Sequence, residues 1–146
     1  MLGQAISIGV SAMTARFFAD TNLVVYTLDA EPSKRSVALS VMRARPVISV
    51  QVVNEFMSVA IGKMKLPRHA ASRLARILMK QCEVSDMTTE TVRHAITLGE
   101  RYQLSHWDAL IVASALHAGC EILYSEDLQN GQVFEDRLKV DNPFAA

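Results

Sequence analysis

His106-Trp107-Asp108-Ala109-Leu110-Ile111-Val112-Ala113-Ser114-Ala115-Leu116-His117-Ala118-Gly119-Cys120-Glu121-Ile122-Leu123-Tyr124-Ser125-Glu126-Asp127 is the stretch on which the fold turns. His106–His117 is apolar on almost every face at helical spacing, so it predicts a helix buried at the centre of the protein. Gly119 supplies the left-handed position at which helices commonly stop. Glu121–Tyr124 then reads as a short strand, and a strand fed by a buried helix belongs to a parallel sheet with helical crossovers.

Working outward, the same alternation runs through the rest of the chain. Strand Arg16–Ala19 leads to a helix over Leu23–Leu28, and a second helix spans about Lys34–Arg43 before strand Val47–Ser49. Ser49 is a favoured cap type for a helix over Val50–Met64, and Pro67 opens another that reaches about Lys80. Strand Cys82–Ser85 follows. Thr88 or Thr89 starts a helix to Tyr102 whose inner face is marked by Val92, Ala95, Ile96 and Gly99. A last short strand falls near Leu138–Val140. The expected fold is therefore α/β: three layers, α/β/α, with a central mainly parallel sheet. Residues 1–15 precede the first strand and are expected to be a disordered extension, leaving 16–146 as a single domain.

Four acids fall where strands end or helices begin. Asp20 follows Phe17-Phe18-Ala19, Glu55 lies one turn into the helix after Val47–Ser49, Asp108 starts the buried helix, and Asp127 closes the strand beginning at Ile122. In an open parallel α/β sheet such positions gather at the carboxyl edge of the strands. Carboxylates gathered there repel one another unless a cation lies among them. Hard divalent ions such as magnesium take oxygen ligands, so the pattern predicts a metal-dependent phosphodiester hydrolase site. Each acid also has a plainer reading: Asp20 and Asp108 as helix caps, Glu55 as an exposed helix residue, Asp127 as a turn residue.

The 146 residues suffice for one well-buried domain and are too few for two. Cys82 and Cys120 have no metal-ligand spacing and stand among apolar residues, as expected of inert thiols in a reducing cytoplasm. No apolar run is long enough to cross a bilayer. Formal net charge is zero but segregated: residues 34–80 carry ten Lys and Arg against the single acid Glu55, whereas residues 81–146 carry four bases and eleven acids. A basic middle suits attraction of a polyanion, and it is equally what two solvated helices would show. Trp107 reads as a core aromatic and the seven methionines as core filling. His69, His94, His106 and His117 have no metal-binding spacing.

Phe18-Ala19-Asp20-Thr21-Asn22, Asn54-Glu55-Phe56, Trp107-Asp108-Ala109-Leu110-Ile111 and Leu123-Tyr124-Ser125-Glu126-Asp127, in this order and beside these elements, resemble the PIN-domain ribonucleases and, within them, the VapC-like toxins of type II toxin–antitoxin modules. The resemblance covers about Phe17 to Phe144. It implies that Asp20, Glu55, Asp108 and Asp127 form an acidic quartet holding one or two magnesium or manganese ions. Ser125 would be the hydroxyl beside the last acid, and Asn22 a small polar residue bonding within the site. It also implies an RNA substrate, a cognate antitoxin whose C-terminal segment fills the acidic groove, and a homodimer; the cytoplasmic location is the expectation from the cysteines. Two features depart from the family pattern. Asp127 runs into Leu128-Gln129-Asn130-Gly131 instead of a further acid and a Phe. Glu126 is an extra acid that strand alternation points away from the site.

Other functions on small α/β folds fit less well. A receiver domain expects an acidic pair after the first strand and a lysine after the last. A haloacid-dehalogenase-type phosphatase expects Asp-x-Asp where Asp20-Thr21-Asn22 stands. Neither a phosphate-cradling glycine loop nor a nucleophile elbow occurs. A non-catalytic RNA-binding or scaffold protein that keeps the fold is the remaining alternative.

Overall fold

The computed structural model describes residues 15–145. The expected extension lies, apart from Ala15, outside them. The elements are β1 (Phe17–Ala19), α1 (Thr21–Tyr26), α2 (Pro32–Arg43), β2 (Val47–Ser49), α3 (Val50–Ser58), α4 (Arg68–Gln81), β3 (Glu83–Ser85), α5 (Thr89–Tyr102), α6 (His106–His117), β4 (Ile122–Tyr124), β5 (Val133–Phe134) and β6 (Leu138–Asp141). The strands form one sheet in the order β3-β2-β1-β4-β6-β5. Every pairing is parallel except β5 with β6. The fold is thus the expected mainly parallel sheet flanked by helices.

Side-chain caps set the helix starts. Asp20, Ser49, Thr88 and Ser105 each accept a backbone N–H at the first turn of α1, α3, α5 and α6. Helix α6 is buried continuously from Ala109 to Leu116, so it occupies the centre that its all-round apolar sequence predicted. Gly119 ends it at φ +74°.

The chain leaves β1 for β2 and β3 on one side and returns to β4 on the other, which makes the β1–β4 seam the switch point of the sheet. A crevice opens at the carboxyl ends of strands at such a point, and substituents there face one another. The Asp20 N–H donates to the Tyr124 carbonyl at 3.0 Å, fixing the two strand ends in register.

Four details differ from the sequence reading. The helix expected over Val50–Met64 is α-helical only to Ser58 and continues as a π-helical turn, Val59–Lys63, in which the Met64 N–H reaches back to the Val59 carbonyl at 2.9 Å. The inner face of α5 is Thr91, Ala95 and Leu98; Val92 and Ile96 are exposed. Ala95 and Gly99 do face inward, so the face is rotated rather than reversed. Thr91 can be buried because its hydroxyl is satisfied in a capping box with Thr88. Trp107, read as core, is 63% exposed. Strand β5 went unforeseen: it joins β6 through Glu135, Asp136 and Arg137, the first two at positive φ, as in a tight hairpin turn that usually advertises itself by Asn-Gly or Asp-Gly.

Candidate active site

Asp20 sits at the end of β1, and 5% of its surface is exposed. Its Oδ1 accepts the Thr21 N–H at 2.7 Å, and its Oδ2 accepts the Ser125 hydroxyl at 2.8 Å. The carboxylate that caps α1 is therefore also the one buried at the end of β1. Burial pushes its pKa up to about 6; the Ser125 and Thr21 hydrogen bonds oppose the rise, and the charges of Asp127 and Glu55 add to it. Ser125 also accepts the backbone N–H groups of Asp127 at 3.2 Å and Leu128 at 3.4 Å, which bends the chain after β4 and places Asp127.

Glu55 projects from α3, anchored at both carboxylate oxygens. The Thr21 hydroxyl donates to Oε1 at 2.6 Å, and the Gln51 amide donates to Oε2 at 3.3 Å. The same Gln51 nitrogen reaches the Trp107 carbonyl at 3.3 Å, tying α3 to the start of α6. Asp108 lies in the first turn of α6, where Ser105 caps its N–H at 3.1 Å. Burial raises the Asp108 pKa; hydrogen bonding with Ser105 opposes this, and the charges of Asp127 and Glu55 add to it.

All four acids line one cavity of about 420 Å³, together with Thr21, Asn22, Tyr26, Gln51, Lys63 and Trp107. The donor set suits a hard divalent ion: carboxylate oxygens from four separate elements, plus Asn22, whose amide oxygen and nitrogen are buried with no partner among the described residues. Among the described residues, no three acidic, histidine or cysteine side chains converge as a ready ligand group. An ion would therefore draw the four carboxylates closer together than they now stand.

Asp20, Glu55, Asp108, Asp127 and Asn22 share the cavity wall. Ser125 stands behind it, bonded to Asp20 and to the backbone of Asp127. Sequence reasoning missed Gln51, one helical turn before Glu55 at i−4, where that spacing was the available signal. It missed the orienting role of Thr21, although Asp20-Thr21-Asn22 had been singled out. It also missed Lys63, which the π-helical turn carries to the cavity; such turns recur at functional sites. Glu126 does not line the cavity. It accepts the Tyr26 hydroxyl and pairs with Lys34 at 3.4 Å, holding Tyr26 against the wall. Lys34 is also the only basic residue of the 34–80 block in an ion pair among the described residues. No helix among the described residues is long and apolar enough to cross a membrane.

None of the curated proteins compared matches this chain. Solved structures do. A toxin–antitoxin complex from Klebsiella pneumoniae superimposes with TM-score 0.67 at 22% identity, covering 90% of this chain and 100% of that one. FitAcB from Neisseria gonorrhoeae gives 0.63 at 21% identity, covering 89% and 99%. VapC20 of Mycobacterium tuberculosis, described as a toxin cleaving the sarcin–ricin loop, gives 0.62 at 21% identity, covering 76% and 89%. At such identities the likeness is one of fold. The PIN domain family profile matches residues 17–133, which contain β1 through the first residue of β5 and all four cavity acids. By that match over most of its length, the chain belongs to the PIN domain family.

Proposed function

We propose that this protein is a divalent-metal-dependent endoribonuclease and the toxin of a type II toxin–antitoxin pair. The observation that carries the reading is the cavity at the β1–β4 seam, where Asp20, Glu55, Asp108 and Asp127 arrive from four separate elements of a PIN domain. Asp20, Glu55, Asp108 and Asp127 would hold the ion, magnesium or manganese, with Asn22 able to contribute its unpartnered amide. Bound there, such an ion supplies Lewis acidity, easing proton loss from water and offsetting charge on the scissile phosphate.

The chain's own residues set the conditions for that chemistry. Asp20, with its pKa near 6 in the ion-free cavity, gives up its proton as an ion enters, so binding strengthens above that pH. Ser125 orients Asp20 and Asp127 together; Thr21 and Gln51 orient Glu55. Lys63 on the wall offers a positive charge to an RNA phosphate. The largely unpaired bases of residues 34–80 draw the polyanion toward the cavity.

The toxin–antitoxin complexes among the structural neighbours support an antitoxin partner. A basic side chain from such a partner would be attracted by the four carboxylates and would compete with the ion. Exposed Val92 and Ile96, one turn apart on α5, support a homodimer. The free, buried Cys82 and Cys120 support a cytoplasmic location.

Purified protein incubated with structured RNA and either ion, with and without chelator, tests the reading. Cutting that chelator abolishes, and that Asp108→Asn abolishes while the fold is kept, is the expected result. Binding of RNA without cutting would favour a non-catalytic RNA-binding protein instead. Calorimetry that finds no ion uptake would remove the metal site.

A further inference from the structure

Trp107 is the chain's one tryptophan, and it stands 63% exposed in the residue before Asp108. A large aromatic so placed loses the burial that usually justifies it. Its position is nevertheless fixed: its carbonyl accepts from Gln51, and its ring meets His106 edge-on with centroids 5.8 Å apart.

Beside it opens a second cavity of about 440 Å³. Val50, Met87, Leu110 and the indole form its apolar wall, and Gln51 and Glu55 belong to this cavity and to the acidic one alike. Gln51 is 7% exposed. Its nitrogen is used, but its Oε1 is buried with no partner among the described residues. An unpaired buried acceptor costs stability, and that cost is relieved when a donor arrives.

The ligand that suits this wall is flat and apolar on its faces, with an N–H on its edge. An aliphatic side chain from a protein partner would fill the apolar part and leave Gln51 Oε1 unpaired. A nucleobase satisfies both requirements, since single-stranded bases stack on aromatic side chains and carry edge donors. We propose that Trp107 and the adjoining cavity bind the base of the nucleotide flanking the cleaved phosphate, with the Gln51 amide turning so that its unpartnered Oε1 accepts from the base edge. The assignment rests on the ribonuclease reading for the phosphate next door, and it sets base preference at one position beside the cut.

Trp107 is its own reporter, because all indole fluorescence comes from it. Asp108→Asn protein in chelator is titrated with an unstructured mixed-sequence RNA oligomer and, separately, with an abasic oligomer of equal length and charge. Saturable quenching by the RNA and little by the abasic oligomer is expected. Equal effects of the two, or quenching by an amphipathic peptide but not by RNA, would overturn the subsite. Cleavage of a randomised RNA pool provides the second arm. Trp107→Ala should cut about tenfold more slowly or worse and lose base preference on one side of the cut, with Trp107→Phe retaining most of both. A Trp107→Ala protein with the parent's rate and preference would overturn it as well. Base-dependent quenching in a protein that never cuts would uphold the subsite and sink the ribonuclease reading, so the two failures are separable.

Discussion

Ser125 donates its hydroxyl to Asp20 at 2.8 Å across the seam between β4 and β1, and the same oxygen receives the backbone N–H groups of Asp127 and Leu128. One buried side chain therefore fixes two of the four acids. Ser125→Ala strands those N–H groups and should cost about 1–3 kcal/mol in unfolding free energy. It also removes a hydrogen bond that lowers the Asp20 pKa, so ion uptake and RNA cleavage should both move to higher pH. Denaturant midpoints and a pH–rate profile check the two parts. An Asp20 titration unchanged from the parent would show that Ser125 does not tune it.

Asp20 supplies a prediction of opposite sign. Its pKa in the folded, ion-free protein is raised to about 6 from an ordinary 3.8. The stability tied to this group is fully present below the ordinary value and is lost as pH rises through about 6. Asn caps helices as well as Asp does, so Asp20→Asn should keep α1 intact and remove the buried charge. Ion-free protein near neutral pH should then gain on the order of 2–3 kcal/mol, while cleavage is lost. The gain should shrink on acidification; a gain that grew as pH fell would contradict the burial argument.

Thr21 and Glu55 meet at 2.6 Å, hydroxyl to carboxylate. Thr21→Val preserves shape and β-branching but releases Glu55 on that side. Groups that orient a metal ligand commonly change metal affinity by about 10–100-fold when removed. A loss of that order in ion affinity, measured by calorimetry, is expected with little change in unfolding midpoint. If affinity rises instead, the hydrogen bond competes with the ion more than it prepares the site.

The alternation of elements, the buried α6 and the seam that collects the acids were all legible in the sequence, because each follows from periodicity or from an abrupt change of residue type. Other features depend on partners distant in sequence. Val92 and Ile96 are more apolar than Thr91, yet α6 selects the face bearing Thr91, Ala95 and Leu98. Nothing local announces that a Gly62-containing turn will widen to π spacing and carry Lys63 to the cavity. The exposure of Trp107 and the Thr21 bond that holds Glu55 are also set across the fold, whereas Gln51, at i−4 of Glu55, left a local signal. The four acids could be named from their positions, whereas the hydrogen bonds that govern their charge could not.

His94 Nδ1 and His117 Nε2 lie 2.9 Å apart, joining the middle of α5 to the last turn of α6, with the rings stacked at 5.0 Å and 23°. One ring must be neutral to accept the hydrogen bond. The His94 pKa is held below the ordinary histidine value by burial first and then by the neighbouring charge of His117; Glu135 opposes this, and Arg137 and Arg101 reinforce it. For a histidine depressed in this way, the associated stability is present above the ordinary pKa of 6.5 and is lost as pH falls through the lower folded value. Asp20 acts in the reverse sense over a neighbouring range, so only a difference against a variant isolates the pair. The stability advantage of the parent over His94→Gln should be largest near neutral pH and decline as the solution is acidified. Thermal melts of both proteins across that range measure it. A difference that stays constant, or increases toward acid, would mean the imidazoles pack together without sharing a proton.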